Sequence, residues 1–285
     1  GEAGGTTGAE DTGEAGGTTG AEDAGGTKGV EGAGSAARVH PDAVPLLVLI
    51  RDPDLPERAP TDAGLFHIAF RVPSRAALGE ALARVRDRWR LDGASDHLVS
   101  EALYLDDPEG NGVEIYRDRP REEWPIADDG TVQMATDPLD LEGVAAAASG
   151  PDDGTDSGPA DRVPPGTDVG HVHLETTSLS AFERIYVDGI GFAVGATGPS
   201  VRFVAAGGYH HHLAANTWRG RTTPAAGRGI AWFEVVVPDA PALDAVRSRL
   251  DAVAADGDVE IAIDERADGL VVTDADGVEV RVRTP

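Results

Sequence analysis

Between Gly64 and Pro120 the chain twice alternates apolar and polar residues around a helical stretch, and few folds accommodate that order. In GLFHIAFRV, Ile68, Phe70 and Val72 share one face of a strand, and His67, Ala69 and Arg71 the other. In GVEIY, Val113 and Ile115 face one way while Gly112, Glu114 and Tyr116 face the other. The intervening Ser74 to Trp89 places Leu78, Leu82 and Val85 at helical spacing, with Ser74 as N-cap. DPEGNG, Asp107 to Gly112, is a tight turn, because Gly and Asn tolerate the positive φ such turns need. The unit is β-α-β-β-β. A histidine on its opening strand and a glutamate on its closing strand both avoid the aliphatic face.

The pattern recurs downstream. A strand at His171 to Glu175, a helix over about Ser180 to Asp188 and the strands VRFVAA and YHHHLAA make one further unit. In YHHHLAA the alternation puts His210 and His212 on one face and His211 on the other. IAWFEVVVPD (Ile230 to Asp239), a helix near Ala240 to Ala255 and DGVEVRVR (Asp276 to Arg283) make another. Residues 121–168 are acidic and rich in Ala, Gly and Pro, a linker region with one short helix at Pro138 to Ala148. Residues 1–36 run GEAGGTTGAEDT, GEAGGTTGAEDA and a decayed GGTKGVEG. Gly, Thr, Ala and acid cannot bury enough apolar area to offset ordering entropy, so disorder is expected there. The expected organisation is a repeat at 1–36, an N-terminal domain at 37–125, a linker at 126–168 and a C-terminal domain at 169–285.

A chain of 285 residues suffices for one or two cored domains. A net charge of −26 argues against nucleic acid or an anionic membrane as partner. Lys28 is the single lysine among 24 basic residues, an acidic, lysine-poor balance that suits a halophilic source. Cysteine is absent, which excludes disulfides and thiolate metal sites. With no run of eighteen apolar residues and no signal-peptide pattern, a cytoplasmic protein is expected.

GLFHIAFRVPS, followed by SDHLVSEALYLDDPEGNGVEIYRDRPREEW, resembles the vicinal oxygen chelate superfamily of glyoxalases, bleomycin-resistance proteins and extradiol dioxygenases. Within it the combination is similar to catechol-2,3-dioxygenase-like proteins of the two-domain type. GHVHLETTSLSAFERIYVDGIGF (Gly170 to Phe192) and AAGGYHHHLAANTW (Ala205 to Trp218) agree, and the resemblance covers residues 36–284. It implies an α+β fold of repeated βαβββ modules forming open, cupped mixed sheets. Only the end of a first module is expected, as an apolar strand and turn at Ala43 to Asp54. Gly64 to Pro120 is then the second module, and a third and fourth follow.

The family's ligands sit on the first and fourth strands of paired modules. Pairing the second module with the third offers His67, Glu114 and His171 to a metal, with Fe(II) expected and Mn(II) or another divalent ion as substitutes. His173 shares the face of His171 and is the alternative in that strand. The opening position of the fourth module is Trp232, which cannot ligate. That module is expected to pack against the first-module remnant, with Trp232, Val235 and Val237 on an exposed edge that a homodimer would cover. Its Glu279 opens a rival set with His171 and His212. His97 and Tyr104 match positions near the substrate oxygens in extradiol dioxygenases, and His212 is expected to line the pocket. The implied activity is ring opening of a small aromatic diol by dioxygen. A glyoxalase-type metal isomerase, a metal-free binding protein and a decayed enzyme are the alternatives.

Overall fold

The alternation at Gly64 becomes β1 (Gly64–Arg71), and the chain then turns into α1 (Arg75–Arg88). Ser74 caps that helix, its side chain accepting the Ala77 N–H at 3.1 Å. The structure is a computed structural model describing residues 45–128, 130–148 and 163–285; the repeat at 1–36 and the loop at 151–162 lie outside these. Leu78 and Leu82 of α1 are fully buried against Val72, Leu103 and Val144. Each such side chain contributes about 1.5–3 kcal/mol. Three strands follow, β2 (Gly93–Asp96), β3 (Ser100–Asp106) and β4 (Gly112–Asp118), and β4 returns parallel to β1. Two-residue β5 (Asp137–Pro138) extends the edge at β2. The short linker helix is α2 (Leu141–Ala147), which packs on α1 where Gly79 admits it; a Cβ there would strike the Val144 carbonyl.

The third module contributes β6 (Asp168–Glu175), α3 (Leu179–Phe182), β7 (Ala193–Gly198), β8 (Val201–Ala205) and β9 (Leu213–Asn216). Beyond Phe182 the helix widens to π geometry over Glu183–Ile190 and closes with the Gly191 N–H on the Tyr186 carbonyl. Modules two and three share one sheet of order β5-β2-β3-β4-β1-β6-β9-β8-β7, joined where β1 runs antiparallel to β6. The fourth module supplies β10 (Trp232–Val236), α4 (Ala240–Asp256), β11 (Ala262–Arg266), β12 (Gly269–Thr273) and β13 (Glu279–Arg283). Its strands form a separate sheet of order β10-β13-β12-β11. Both sheets are open and mixed, and the fold is α+β.

Three expectations are corrected. The fourth module packs on the third: Val246 and Leu250 of α4 join Tyr186, Ile190, Leu213, Leu270 and Val280 in one cluster. The apolar remnant after Pro45 is not a strand; Leu47 to Ile50 are exposed, Leu49 at 86%. A lone strand leaves its backbone groups unpaired, and no neighbour among the described residues supplies a ladder. The strand expected at YHHHLAA begins only at Leu213. Gly207 and Gly208 both take positive φ, a turn that breaks the alternation before the histidines. At the edge of the smaller sheet, Trp232, Val235 and Val237 are half-buried and Val236 is exposed. No helix among the described residues is long and apolar enough to cross a membrane.

Candidate metal centre

Strand register alone gathers the first three residues. Parallel pairing sets Ala69 of β1 beside Glu114 of β4, and the antiparallel seam sets Ala69 beside His171 of β6. Ala69 is small and fully buried, so the side chains flanking it close over it. Oε2 of Glu114 lies 3.1 Å from Nε2 of His67 and 3.2 Å from Nε2 of His171, and the two nitrogens are 3.3 Å apart. All three residues are buried.

Burial would raise the Glu114 carboxyl, yet the two imidazoles outweigh it and hold it well below the usual carboxylate range. Burial pulls His171 down to about 4, against the opposing pull of Glu114. Near neutral pH the pair is therefore carboxylate and neutral imidazole, the lone-pair-bearing forms a cation requires. Nδ1 of His171 is buried without a hydrogen-bond partner. A divalent cation fits this donor set of two imidazoles and one carboxylate.

The other modules lack the set. His173 pairs with Ala214 in the β6–β9 register, which makes Ala214 the counterpart of Glu114. His173 itself is taken up by Asn216, whose side-chain amide donates to its Nε2 at 3.0 Å. In the smaller sheet Trp232 faces Glu279 and Glu234 faces Arg281, so Arg281 holds the place of Glu114 and Glu279 that of Gly112. Arg281 stacks on Trp232 at 4.0 Å and pairs with Glu279 at 2.7 Å. The rival combination of His171, His212 and Glu279 is thus not assembled.

Beside the triad, Tyr104 faces Glu114 across β3 and β4. Nδ1–H of His97 donates to the Ala135 carbonyl at 2.6 Å, which fixes the tautomer, and its bare Nε2 accepts the Tyr104 hydroxyl at 2.6 Å. Burial, then the Glu114 charge, pushes the Tyr104 hydroxyl well above its ordinary value. The structure brings His97 and Tyr104 to the triad but not His212. That ring is exposed, its Nδ1 accepting the Ala206 N–H at 3.2 Å.

Its neighbours turn inward instead, and sequence reasoning did not assign them to the site. The His211 ring centroid is 4.1 Å from that of His171, and Nδ1 of His211 donates to Nδ1 of His210 at 2.8 Å. Nε2 of His210 donates to Asp118 at 2.9 Å, and Asp118 also receives the Tyr209 hydroxyl and Arg71. Burial opposes ionisation of Asp118, but the hydrogen bonds from His210 and Arg71 keep its carboxyl low. The available signal was the glycine pair before the histidines, which marks a turn.

No family model matches the chain. The catechol-2,3-dioxygenase of Bacillus subtilis (strain 168) is 41% identical over 213 residues, spanning 72% of each chain. A solved structure from the same species with a provisional dioxygenase name is 11% identical at TM-score 0.46; the match covers 78% of this chain and 62% of that one. A glyoxalase I variant of Zea mays is 15% identical at TM-score 0.32, over 78% of this chain and 92% of its own. On the identity and coverage shared with the Bacillus enzyme, the chain belongs to the vicinal oxygen chelate superfamily, among the relatives of catechol-2,3-dioxygenase.

Proposed function

We propose that the chain is an extradiol dioxygenase that opens a catechol-type ring, with His67, Glu114 and His171 holding Fe(II). The observation that carries this reading is the meeting of three donor atoms within 3.1–3.3 Å, with Ala214 where a fourth donor would stand. Two imidazoles and one carboxylate leave room for both a diol and dioxygen on one ion, whereas a glyoxalase-type isomerase uses four protein ligands. The name of the Bacillus relative points the same way. Bound Fe(II), or Mn(II) in its place, would polarise the diol and relay to dioxygen the electrons that the diol itself gives up. Both oxygen atoms enter the opened ring, so no external reductant is required.

The remaining work belongs to this chain's side chains. Nε2 of His97 is the proton acceptor for the diol, and the Ala135 carbonyl steadies the imidazolium through Nδ1–H. Tyr104, held in its protonated form, donates to Nε2 of His97 and turns that donation to a diol oxygen when substrate displaces the bond. His211 closes the opposite wall against His171, and its link to His210 and Asp118 orients it. Anaerobic reconstitution with Fe(II), then air and a panel of catechols, tests the reading through yellow ring-opened products. Stoichiometric ligand binding without metal, or isomerase activity with Zn or Ni and no ring opening, would overturn it.

A further inference from the structure

Toward the Gly64 end of β1, away from Asp118, the chemistry is different. Phe66, His173 and Trp218 form an aromatic box, with ring centroids 4.9 Å (Phe66–His173), 5.3 Å (Phe66–Trp218) and 5.4 Å (His173–Trp218) apart. The Phe66 ring lies 5.2 Å from that of His67, so the box adjoins the triad. Beyond it, Arg58, Arg219 and Arg221 surround the buried carboxylate of Glu175. Asp62 is the next acid, and it is engaged by Thr223 and the Ala59 N–H.

The three guanidinium groups are not equivalent. Arg58 donates to the Leu65 carbonyl and Arg221 to the Pro60 carbonyl, so both are anchored. Arg219 touches Glu175 only at 3.6 Å, is 56% exposed and lies over the Phe66 ring at 5.3 Å. Two polar atoms here are buried without a hydrogen-bond partner, Oε1 of Glu175 and Nε of Arg221. At the other end of β1 Arg71 is neutralised by Asp118 and Asp168 together. In a chain of net charge −26, a half-exposed arginine with only a long ion pair, lying on an aromatic box beside the triad, is a built contrast.

We infer that Arg219, with Phe66 and Trp218, forms a subsite for an anionic substituent, so that the preferred substrate is an aromatic diol carrying a carboxylate side chain. The inference rests on the catechol reading above. The aromatic faces hold a ring or its side-chain methylenes, and the guanidinium takes the carboxylate through two parallel N–H bonds.

The test compares 3,4-dihydroxyphenylacetate with neutral 4-methylcatechol, and adds phenylacetate as a probe without the diol. Binding is followed by calorimetry and by tryptophan fluorescence, with Trp218→Phe identifying the reporter. The Fe(II)-loaded wild type should bind the anionic diol about tenfold more tightly than the neutral one, less so at high salt. Arg219→Met, which keeps the stem over Phe66, should erase that preference and leave 4-methylcatechol unchanged, while Arg219→Lys should restore part of it. Phenylacetate should bind wild type and not Arg219→Met, whether or not any diol is opened. Absence of phenylacetate binding, or a preference that survives Arg219→Met, overturns the subsite. Phenylacetate binding without ring opening of any catechol would instead count against the dioxygenase reading while leaving the subsite in place.

Discussion

The nine-stranded and four-stranded sheets are built from the same β-α-β-β-β unit, yet among the described residues only the larger gathers a donor set. In the larger sheet the opening strands β1 and β6 lie side by side, and their inward faces present His67 and His171 across a fully buried alanine. In the smaller sheet β10 has a neighbour on one side only, and the matching positions carry Trp232 and Arg281. A unit therefore supplies half a site, and the seam between two opening strands completes it. The turn before the closing strand then sets which residue stands at the donor position: DADG is two residues shorter than DPEGNG, and Glu279 lies opposite Trp232, two positions short of the place Glu114 takes opposite Ala69.

The sharpest way to break this contrast is to remove donors on each side of it. His67→Ala, His171→Ala and Glu114→Ala should each abolish stoichiometric Fe(II) binding, whereas Glu279→Ala should bind as wild type. Iron content after gel filtration measures this, and normal iron in His171→Ala would break the seam account. Next in size is the divide between holding a metal and moving a proton. His97→Ala should retain iron yet lose turnover by about 10²–10⁴-fold. Loss of iron from that variant would make His97 a ligand.

A smaller effect concerns what holds the two sheets together. Asp274, in the turn before β13, accepts the Tyr186 hydroxyl at 2.7 Å, and burial raises its carboxyl to about 6. A raised acid favours the folded state in its protonated form. Its contribution is full below the unfolded carboxyl's value and fades as pH rises through about 6. Asp274→Asn should therefore gain relative stability above that pH, on the order of 2–3 kcal/mol, because Asn carries no charge to bury. Urea midpoints at pH 5 and pH 8 that shift equally for both proteins would contradict this. The smallest difference lies in backbone protection. Amides of β10 that point away from β13 should exchange faster than those in the β1–β6 seam, and equal protection would mean that another surface covers β10.

Much of this was legible in the sequence because it depends on local period. The alternation in GLFHIAFRV and GVEIY, the cap at Ser74 and the matched register of His67 and His171 all follow from side-chain order. What escaped depended on chain direction or on partners. His210 and His211 enter the site because a glycine turn suspends the alternation there, while His212 turns outward. The apolar run after Pro45 has the composition of a strand and no pairing partner among the described residues, so composition misled. The packing of α4 on the π-helical stretch required knowing which sheet stood behind each helix.

The antiparallel seam has a further consequence. Its two strands each lend an imidazole to the same point, so an ion bound there would stitch β1 to β6, in the middle of the larger sheet. Cohesion of the seam and affinity for the ion then become one linked free energy. At a free concentration a hundred times its dissociation constant, the ion adds about 2.7 kcal/mol against separation of the halves. The same linkage runs backwards: a substitution that loosens strand pairing anywhere along Gly64–Arg71 would surface first as a leak of metal.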